Sequence, residues 1–231
     1  MEKLFSTILY GIAVISCVSC KKEEVEEPAC SDHCTTIVGR FTTDNRATPL
    51  AGLPVRMQWV RWKGAFSTDV RTKAKTVTDA QGNYRLNFYV KEDELKDGYF
   101  EVCYSGDASK YILDRDQTGA SWLGLSRDTV IVSDWLLPRK AFVHPEITNA
   151  AQIVGDYWGE YGFANGAYRG RGRFTYAVVF TFNQLPSGNI EVAANQPVDL
   201  KSFKTVNGQL VVAHDTVRLA PGATYVHRVT Y

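Results

Sequence analysis

Cysteine and histidine side chains bind metals, and a tight cluster of them near residue 30 is the first place where this chain could do chemistry. The stretch CSDHC at residues 30–34 contains Cys30, His33 and Cys34. A structural zinc site needs four ligands, which normally come as two such groups. No second group follows in the sequence, so we expect no metal site and no cofactor. These residues are interpreted instead as the join between an N-terminal tether and the first strand.

The candidate nucleophiles and bases also lack the spacing of a catalytic site. Ser126 is followed by Arg127 and Asp128 where a nucleophile elbow would close on glycine. His214 and Asp215 are neighbours, and neighbouring side chains of a strand point to opposite faces. Paired carboxylates on distant strands stay open as a hydrolase alternative. The sequence therefore predicts no catalytic residues and a protein that is not an enzyme.

Aromatic rings form a third group with a potential binding role, because exposed rings stack on sugars and ligand sites often lie on loops. Tyr157, Trp158 and Tyr161 lie among glycines at residues 155–168, and Trp62 lies in an earlier polar stretch. These four residues are the candidates for a ligand-binding site, with a glycan as the ligand. The rings at 155–168 would also plug one end of a β-sandwich, where they bury a large area, and we favour that interpretation.

The elements that position these residues are predicted to be strands. Tyr and Phe number 12 and 11 while Met numbers 2, and aromatic residues prefer strands. The segments at 53–62, 84–90 and 173–182 alternate with a period of two, which is typical of half-buried strands. The formal net charge of +1 gives no basis for binding nucleic acid.

One turn between two such strands has a specific mechanism. In Asp79-Ala80-Gln81-Gly82 the carboxylate accepts hydrogen bonds from backbone N–H groups further along, and Gly82 tolerates a positive φ. This pattern predicts a hairpin that joins the strand before Asp79 to the strand at 84–90.

The stretch from the first strand to this turn resembles the carboxypeptidase regulatory-like domain, a transthyretin-like, seven-stranded sandwich. The resemblance covers residues 37–104, implies that fold for a first domain at 35–138, and offers no catalytic residues to transfer. An insertion at 61–71 departs from the family pattern and leaves a longer hairpin or a binding loop open. The positions that carry the resemblance are Gly39, Pro49, Leu50, Ala51, Gly52, Val55, Thr78, Asp79, Gly82, Tyr84 and Leu86.

The rest of the chain predicts a second domain. Pro138 and Pro145 favour a boundary near residue 138, and closely spaced strand and turn signals follow over residues 139–231. The predicted fold class is all-β, with two tandem antiparallel β-sandwich domains, Ig-like or transthyretin-like, after a signal peptide. No family motif is recognised in the second sandwich.

The N-terminal segment contains the features that predict where the protein is located. Leu4 to Val18 is mostly apolar, but a membrane-spanning helix needs about 20 apolar residues. The run is therefore interpreted as a secretory signal peptide at residues 1–19, with an uncleaved anchor helix as the alternative.

The end of that run, ISCVSC at residues 15–20, resembles the signal of bacterial lipoproteins. The resemblance implies cleavage before Cys20, a diacylglycerol group on its thiol, and a flexible tether at 20–34. Cys17 is an alternative acceptor, but Lys21 ends the apolar run directly after Cys20. The tract KKEE at 21–24 resembles the surface-export signal of Bacteroidota lipoproteins. These resemblances imply a lipid-anchored protein of the outer membrane that faces outward.

Three cysteines remain once Cys17 and Cys20 are set aside, and a disulfide is expected in an oxidising envelope. The simplest count is one disulfide and one free thiol, and we expect Cys34 to pair with Cys103. The sequence as a whole predicts a non-catalytic surface lipoprotein that acts as a binding or scaffold module for a nutrient-uptake or adhesion system. Its expected partners are the membrane through the lipid, and another outer-membrane protein or a glycan.

Overall fold

The structure is a computed structural model, and it describes residues 30–64, 67–113, 118–148, 157–169, 173–182 and 188–230. Cys20, the predicted signal peptide and most of the predicted tether lie outside the described residues. Within these ranges no helix is long and apolar enough to cross a membrane.

The described residues form β-strands and no helix, so the fold class is all-β, as predicted. The strands are β1 (Cys34–Thr43), β2 (Thr48–Pro49), β3 (Pro54–Trp62), β4 (Thr68–Val77), β5 (Asn83–Tyr89), β6 (Tyr99–Tyr104), β7 (Thr118–Trp122), β8 (Val130–Val132), β9 (Trp135–Leu136), β10 (Lys140–Ile147), β11 (Tyr157–Arg169), β12 (Arg173–Phe182), β13 (Ile190–Ala193), β14 (Pro197–Val206), β15 (Gln209–Arg218) and β16 (Thr224–Val229).

The first sandwich packs two sheets against each other. In one sheet β1 pairs antiparallel with β5 and β2 and parallel with β8 and β9. The other sheet has the order β4-β3-β6-β7. The alternating side chains of β5 show why it forms here, because Tyr84, Leu86 and Phe88 are buried while the residues between them are exposed. The core between the sheets contains Ile37, Phe41, Val55, Met57, Trp59, Leu86, Phe88, Phe100, Val102, Tyr104 and Trp135.

The turn before β5 forms as predicted. Asp79 Oδ1 accepts hydrogen bonds from the backbone N–H groups of Gln81 at 2.9 Å and Asn83 at 2.8 Å, and Gly82 has φ of 78°. The predicted hairpin is wrong, however, since β4 pairs with β3 and β5 pairs with β1. The turn carries the chain from one sheet to the other, because turn residues determine the local path and not the hydrogen-bonding partner.

The insertion at 61–71 extends the β3–β4 hairpin. Trp62 lies opposite Thr68 in the strand register, and the N–H of Lys63 donates to the carbonyl of Ser67 at 2.8 Å. Of the two alternatives, the longer hairpin is therefore the one observed.

The second sandwich has a larger and a smaller sheet. The larger contains β12, β11, β14 and β15 in that order, and the smaller has the order β13-β10-β16. Tyr161 and Phe163 of β11 and Val198 and Leu200 of β14 form the core with Val143 and other residues of the smaller sheet. Residues 173–182 form the predicted strand as β12, while the facing of their side chains lies outside what is described.

A short strand makes one sheet continuous through both sandwiches. β9 pairs parallel with β1 through Trp135 and antiparallel with β11 through Gly166 and Ala167. The fully buried residues of the first cluster end at Leu137, and those of the second begin at Ala141. The boundary at residue 138 lies between the clusters and stays a prediction, since the sheet runs across it.

The cysteine pairing differs from the expectation. Cys30 and Cys34 form a disulfide with a Cα–Cα distance of 5.8 Å, and Cys103 is a buried free thiol. The expected Cys34–Cys103 pair is wrong because Cys34 begins β1 in one sheet, whereas Cys103 lies on β6 in the facing sheet. A disulfide requires Cα atoms within about 7 Å.

Candidate functional site

The predicted aromatic loop is largely a strand. Tyr157, Trp158 and Tyr161 all lie on β11, so the expectation of a loop at these positions is wrong. Tyr161 is 2% exposed and belongs to the core, and Tyr157 shares its face by the period of two. The interpretation that these rings fill the sandwich therefore holds for Tyr161.

Trp158 points to the opposite, outer face of the sheet. Its indole stacks on the ring of Phe203 with centroids 4.6 Å apart and an interplanar angle of 4°. Trp62, the fourth candidate, is 67% exposed at the end of β3, in a sheet that β11 does not join. The structure thus does not bring the four predicted residues together, and glycan binding by any of them stays a prediction.

The most unusual surface of the described chain is the open side of the second sandwich. Among the described residues, β15 ends the larger sheet and β16 ends the smaller one, and each pairs with one described strand. A groove of about 340 Å³ lies between them, and its lining includes Leu200, Val211, Ala213, Tyr225, His227 and Val229. The lining also includes polar and charged residues, namely Ser202, Lys204, His214, Asp215, Arg228 and Thr230. The two sheets therefore diverge here around a groove of mixed character, apolar at Val211 and Ala213.

β15 is exposed on both faces. Leu210, Val211 and Val212 are 56%, 42% and 49% exposed, and the strand runs unbroken for 10 residues. Natural edge strands are normally protected by proline, lysine, bulges or short length. The half of β15 at 209–213 has no proline and no charged residue. No described strand pairs with its outer backbone edge, so that edge has none of the usual protection against another strand.

The outer face of this edge continues an apolar row. Trp158 lies opposite Phe203 in the β11–β14 register, and Phe203 lies opposite Val212 in the β14–β15 register. Directly opposed side chains on neighbouring strands are in contact range. An apolar ridge therefore crosses three strands and ends at the open edge.

The floor of the groove holds a buried histidine. His227 is 8% exposed, and its Nδ1 lies 3.5 Å from the hydroxyl of Tyr161. Burial lowers the pKa of His227 below its usual 6.5, although the nearby Asp215 carboxylate acts in the other direction. The imidazole is therefore mainly neutral at pH 7.

The arrangement does not resemble a catalytic centre in the part of the chain that is described. In the β14–β15 register Asp215 lies opposite the core residue Leu200, and His214 lies opposite Lys201. The two side chains therefore leave opposite faces of β15, and His214 lies 3.6 Å from Asp199. No group of three or more His, Cys, Asp or Glu residues in these ranges could hold a metal ion.

Sequence reasoning missed the residues of the open edge. The tract LVVA at 210–213 has apolar residues on both strand faces, which is typical of a strand buried on both sides. Its edge position depends on the order of strands in the larger sheet, and the exposure of its inner face depends on how many strands the smaller sheet contains. No local signal encodes either.

Comparisons with known proteins give no family. No protein-family profile and no curated protein matches the chain. Among solved structures, the shaft pilin SpaA of Lactobacillus rhamnosus GG is 10% identical with a TM-score of 0.34, covering 85% of this chain and 97% of that chain. A streptococcal ancillary pilin is 9% identical with a TM-score of 0.32, covering 87% and 63%. A 9R-lipoxygenase of Cyanothece is 15% identical with a TM-score of 0.33, covering 50% and 19%. These low scores identify no relative from which a role is inferred.

Proposed function

We propose that the chain is a non-catalytic cell-surface protein that binds another envelope protein. An extended segment of that partner would pair with β15 as an added strand. The observation that carries this proposal is the 10-residue edge strand whose three consecutive large apolar side chains are 42–56% exposed. An added strand satisfies the free backbone groups of the edge and covers this apolar surface at the same time.

The chemistry of the edge restricts what the partner segment contains. Residues 209–213 are uncharged, and an ionised side chain buried against them would lose its hydration without gaining a partner. One face of the added strand would meet Val211 and Ala213 in the groove, and the other would extend the ridge that ends at Val212. The part of the segment that lies beside residues 209–213 is therefore uncharged, with apolar side chains on both faces. Charged side chains are expected only where Lys204, Asp215 or Arg228 lines the groove.

The cellular location of the protein is part of the same proposal. The lipoprotein resemblance supports a diacylglycerol anchor at Cys20, and the KKEE tract supports an outward-facing position in the outer membrane. Two or three acyl chains give stable anchoring where one does not. Replacing Cys20 with alanine should abolish labelling of the protein by a fatty acid in cells, and labelling that persists would refute the anchor.

Site-specific photo-crosslinking tests the strand addition. A benzophenone amino acid at Val212 in the lipidated protein on intact cells should crosslink one partner, and the crosslinked peptides should map to one contiguous uncharged segment. The same group at Leu123, which is 86% exposed and lies outside any strand, is the control. Val212→Lys should reduce capture of that partner at least tenfold, while Leu123→Lys should not. Equal crosslinking at both positions would refute the proposal.

A second candidate function is glycan binding on the outer face of the larger sheet. The observation in its favour is the half-buried Trp158, whose indole is held flat against Phe203. Rings fixed in this way offer a flat apolar platform to a sugar. Binding to a glycan array that disappears in Trp158→Ala and survives in Trp62→Ala would favour this function over strand addition.

A further inference from the structure

A second unusual surface lies on the first sandwich, far along the chain from β15. Arg56 of β3 lies directly opposite Lys75 of β4 and opposite Cys103 of β6 in the antiparallel registers. These side chains occupy the outer face of the sheet, because the neighbouring Val55 and Met57 belong to the core. The two strands therefore place two cationic side chains side by side on one face of the sheet.

Arg56 differs from the other half-buried arginines of the described chain. Arg61, Arg71, Arg127 and Arg139 each contact a carboxylate within 3.2 Å. For Arg56, no ion pair within 4 Å is found among the described residues, and its Nε is buried without a hydrogen-bond partner. A buried guanidinium N–H without an acceptor costs free energy that a bound anion would recover.

The neighbouring thiol does not neutralise this charge. Burial and the carboxylate of Glu101 raise the pKa of Cys103 to about 12, against the opposing effect of Arg56. The thiol is therefore neutral at physiological pH. Glu101 itself lies 3.8 Å from the Cys103 sulfur and opposite Gln58 rather than Arg56.

Arg56 and Lys75 line a groove with room for a small ligand. Its volume is about 490 Å³, and its lining also includes Pro54, Val77 and Ser105. Val77 is 57% exposed, so the groove combines two cations with an apolar wall and a hydroxyl group. Ligand pockets typically measure about 300–1,000 Å³ and combine apolar walls with a few polar groups.

We propose that this groove binds a carboxylate ligand. One carboxylate would accept two hydrogen bonds from the planar Arg56 guanidinium, which matches it in geometry. Lys75 adds a second positive charge beside the Arg56 guanidinium. The body of the ligand packs against Pro54 and Val77. An acidic sugar and an acidic peptide side chain both supply this chemistry, and the site is independent of the β15 edge.

Calorimetric titration with two probes tests the site and separates the two sources. Glucuronate represents an acidic sugar and N-acetylglutamate amide an acidic side chain, with glucose as the neutral control. At least one acid should bind the wild-type protein, bind more weakly as salt rises, and lose at least tenfold in affinity in Arg56→Met. The matched control is Arg85→Met, which removes an exposed arginine of β5 and should leave the affinity unchanged.

Each outcome decides the proposal. Binding of glucuronate alone assigns the site to acidic sugars, binding of the amino acid alone assigns it to peptides, and binding of both assigns it to the carboxylate itself. Arg56→Met should also unfold at a temperature equal to or above that of the wild type, because it removes a buried N–H group that has no acceptor. Absence of binding by both acids, or full binding by Arg56→Met, would overturn the proposal.

Discussion

Asp44 and Arg139 form a two-pronged ion pair, with Arg139 Nε donating to Oδ1 at 2.8 Å and its terminal nitrogen donating to Oδ2 at 2.6 Å. Asp44 lies in the turn after β1, and Arg139 lies directly before β10, beyond the first hydrophobic cluster. Asn195, which precedes β14, donates to the same carboxylate at 2.9 Å. The pair therefore joins the two sandwiches where β9 makes their sheet continuous.

The first prediction concerns this junction. Asp44 is 8% exposed, and Asp44→Asn should leave Arg139 without its carboxylate. We expect the free energy of unfolding to fall by about 1–3 kcal/mol, which is less than for a fully buried pair because Arg139 is partly exposed. Although burial acts to raise it, the hydrogen bonds from Arg139 and Asn195 lower the pKa of Asp44 overall. Its contribution is thus present above about pH 4 and is lost as the pH falls through the folded-state pKa.

Urea unfolding at pH 7 and pH 3 measures both parts of that prediction. Asp107→Asn is the control, because Asp107 lies in an exposed turn where its partners are the local Ser109 and Lys110. An Asp44→Asn protein as stable as the wild type at pH 7 would contradict a structural role for the pair.

The second prediction concerns a buried ion pair at the end of the first sandwich. Lys73 Nζ lies 2.9 Å from both carboxylate oxygens of Glu94, and both side chains are 0% exposed. Lys73 is the extra residue where the β3–β4 register shifts. Removing one member of such a pair leaves a buried charge and typically costs about 3–5 kcal/mol, whereas removing both costs less.

A double-mutant cycle in urea checks this expectation. Glu94→Gln and Lys73→Met should each destabilise strongly, and the double variant should be more stable than the sum of the single changes predicts. The exposed Arg228–Glu146 pair, at 70% and 48% exposure, is the control and should show little coupling. Additive losses at Lys73 and Glu94 would mean that the two residues act independently.

The third prediction concerns the cysteines. The raised pKa of the buried Cys103 thiol means that iodoacetamide should not modify it in the native protein at pH 8, but should do so after unfolding. Peptide mapping without reduction should recover Cys30 linked to Cys34. A peptide that links Cys34 to Cys103, or rapid alkylation of Cys103 in the native state, would contradict the structure.

The sequence predicts the strands and some turns, but not which strands pair. Alternation at Tyr84, Leu86 and Phe88 identifies β5, and the Asp79–Gly82 turn forms through the predicted hydrogen bonds. Whether β5 pairs with β4 or with β1 depends on contacts between distant segments. The predicted hairpin and the predicted Cys34–Cys103 disulfide are both wrong because each depends on which distant segments come together.

The candidate site was less predictable than the fold. The glycines and aromatics around Tyr161 are typical of a loop, but pairing with β12 and β14 on both sides holds them in β11. The apolar run at Leu210 is typical of a buried strand, but the smaller sheet has no strand that covers it among the described residues. Exposure of β15 is thus a property of the assembled sandwich.

The last prediction concerns the groove beside β15 and its dependence on pH. Burial holds the pKa of His227 below its usual 6.5 in the folded protein, so the unfolded state binds the proton more readily. The contribution of His227 to stability is therefore present above about pH 6.5 and is lost as the pH falls through the folded-state pKa. His33 acts oppositely, since its hydrogen bond to Asp128 raises its pKa.

Comparison of variants isolates the effect of His227 from that of the other histidines. The wild-type protein should lose urea resistance between pH 7.5 and pH 5. The protection factors of the β16 amides, which are corrected for the intrinsic pH dependence of hydrogen exchange, should fall over the same range. His227→Gln should show a smaller loss, because glutamine does not take up a proton, while His144→Gln on β10 should keep the wild-type difference. If His227→Gln loses as much as the wild type on acidification, His227 is not the group responsible. Capture of the β15 partner should also weaken at pH 5, because a charged imidazole in the groove floor would lie beneath the added strand.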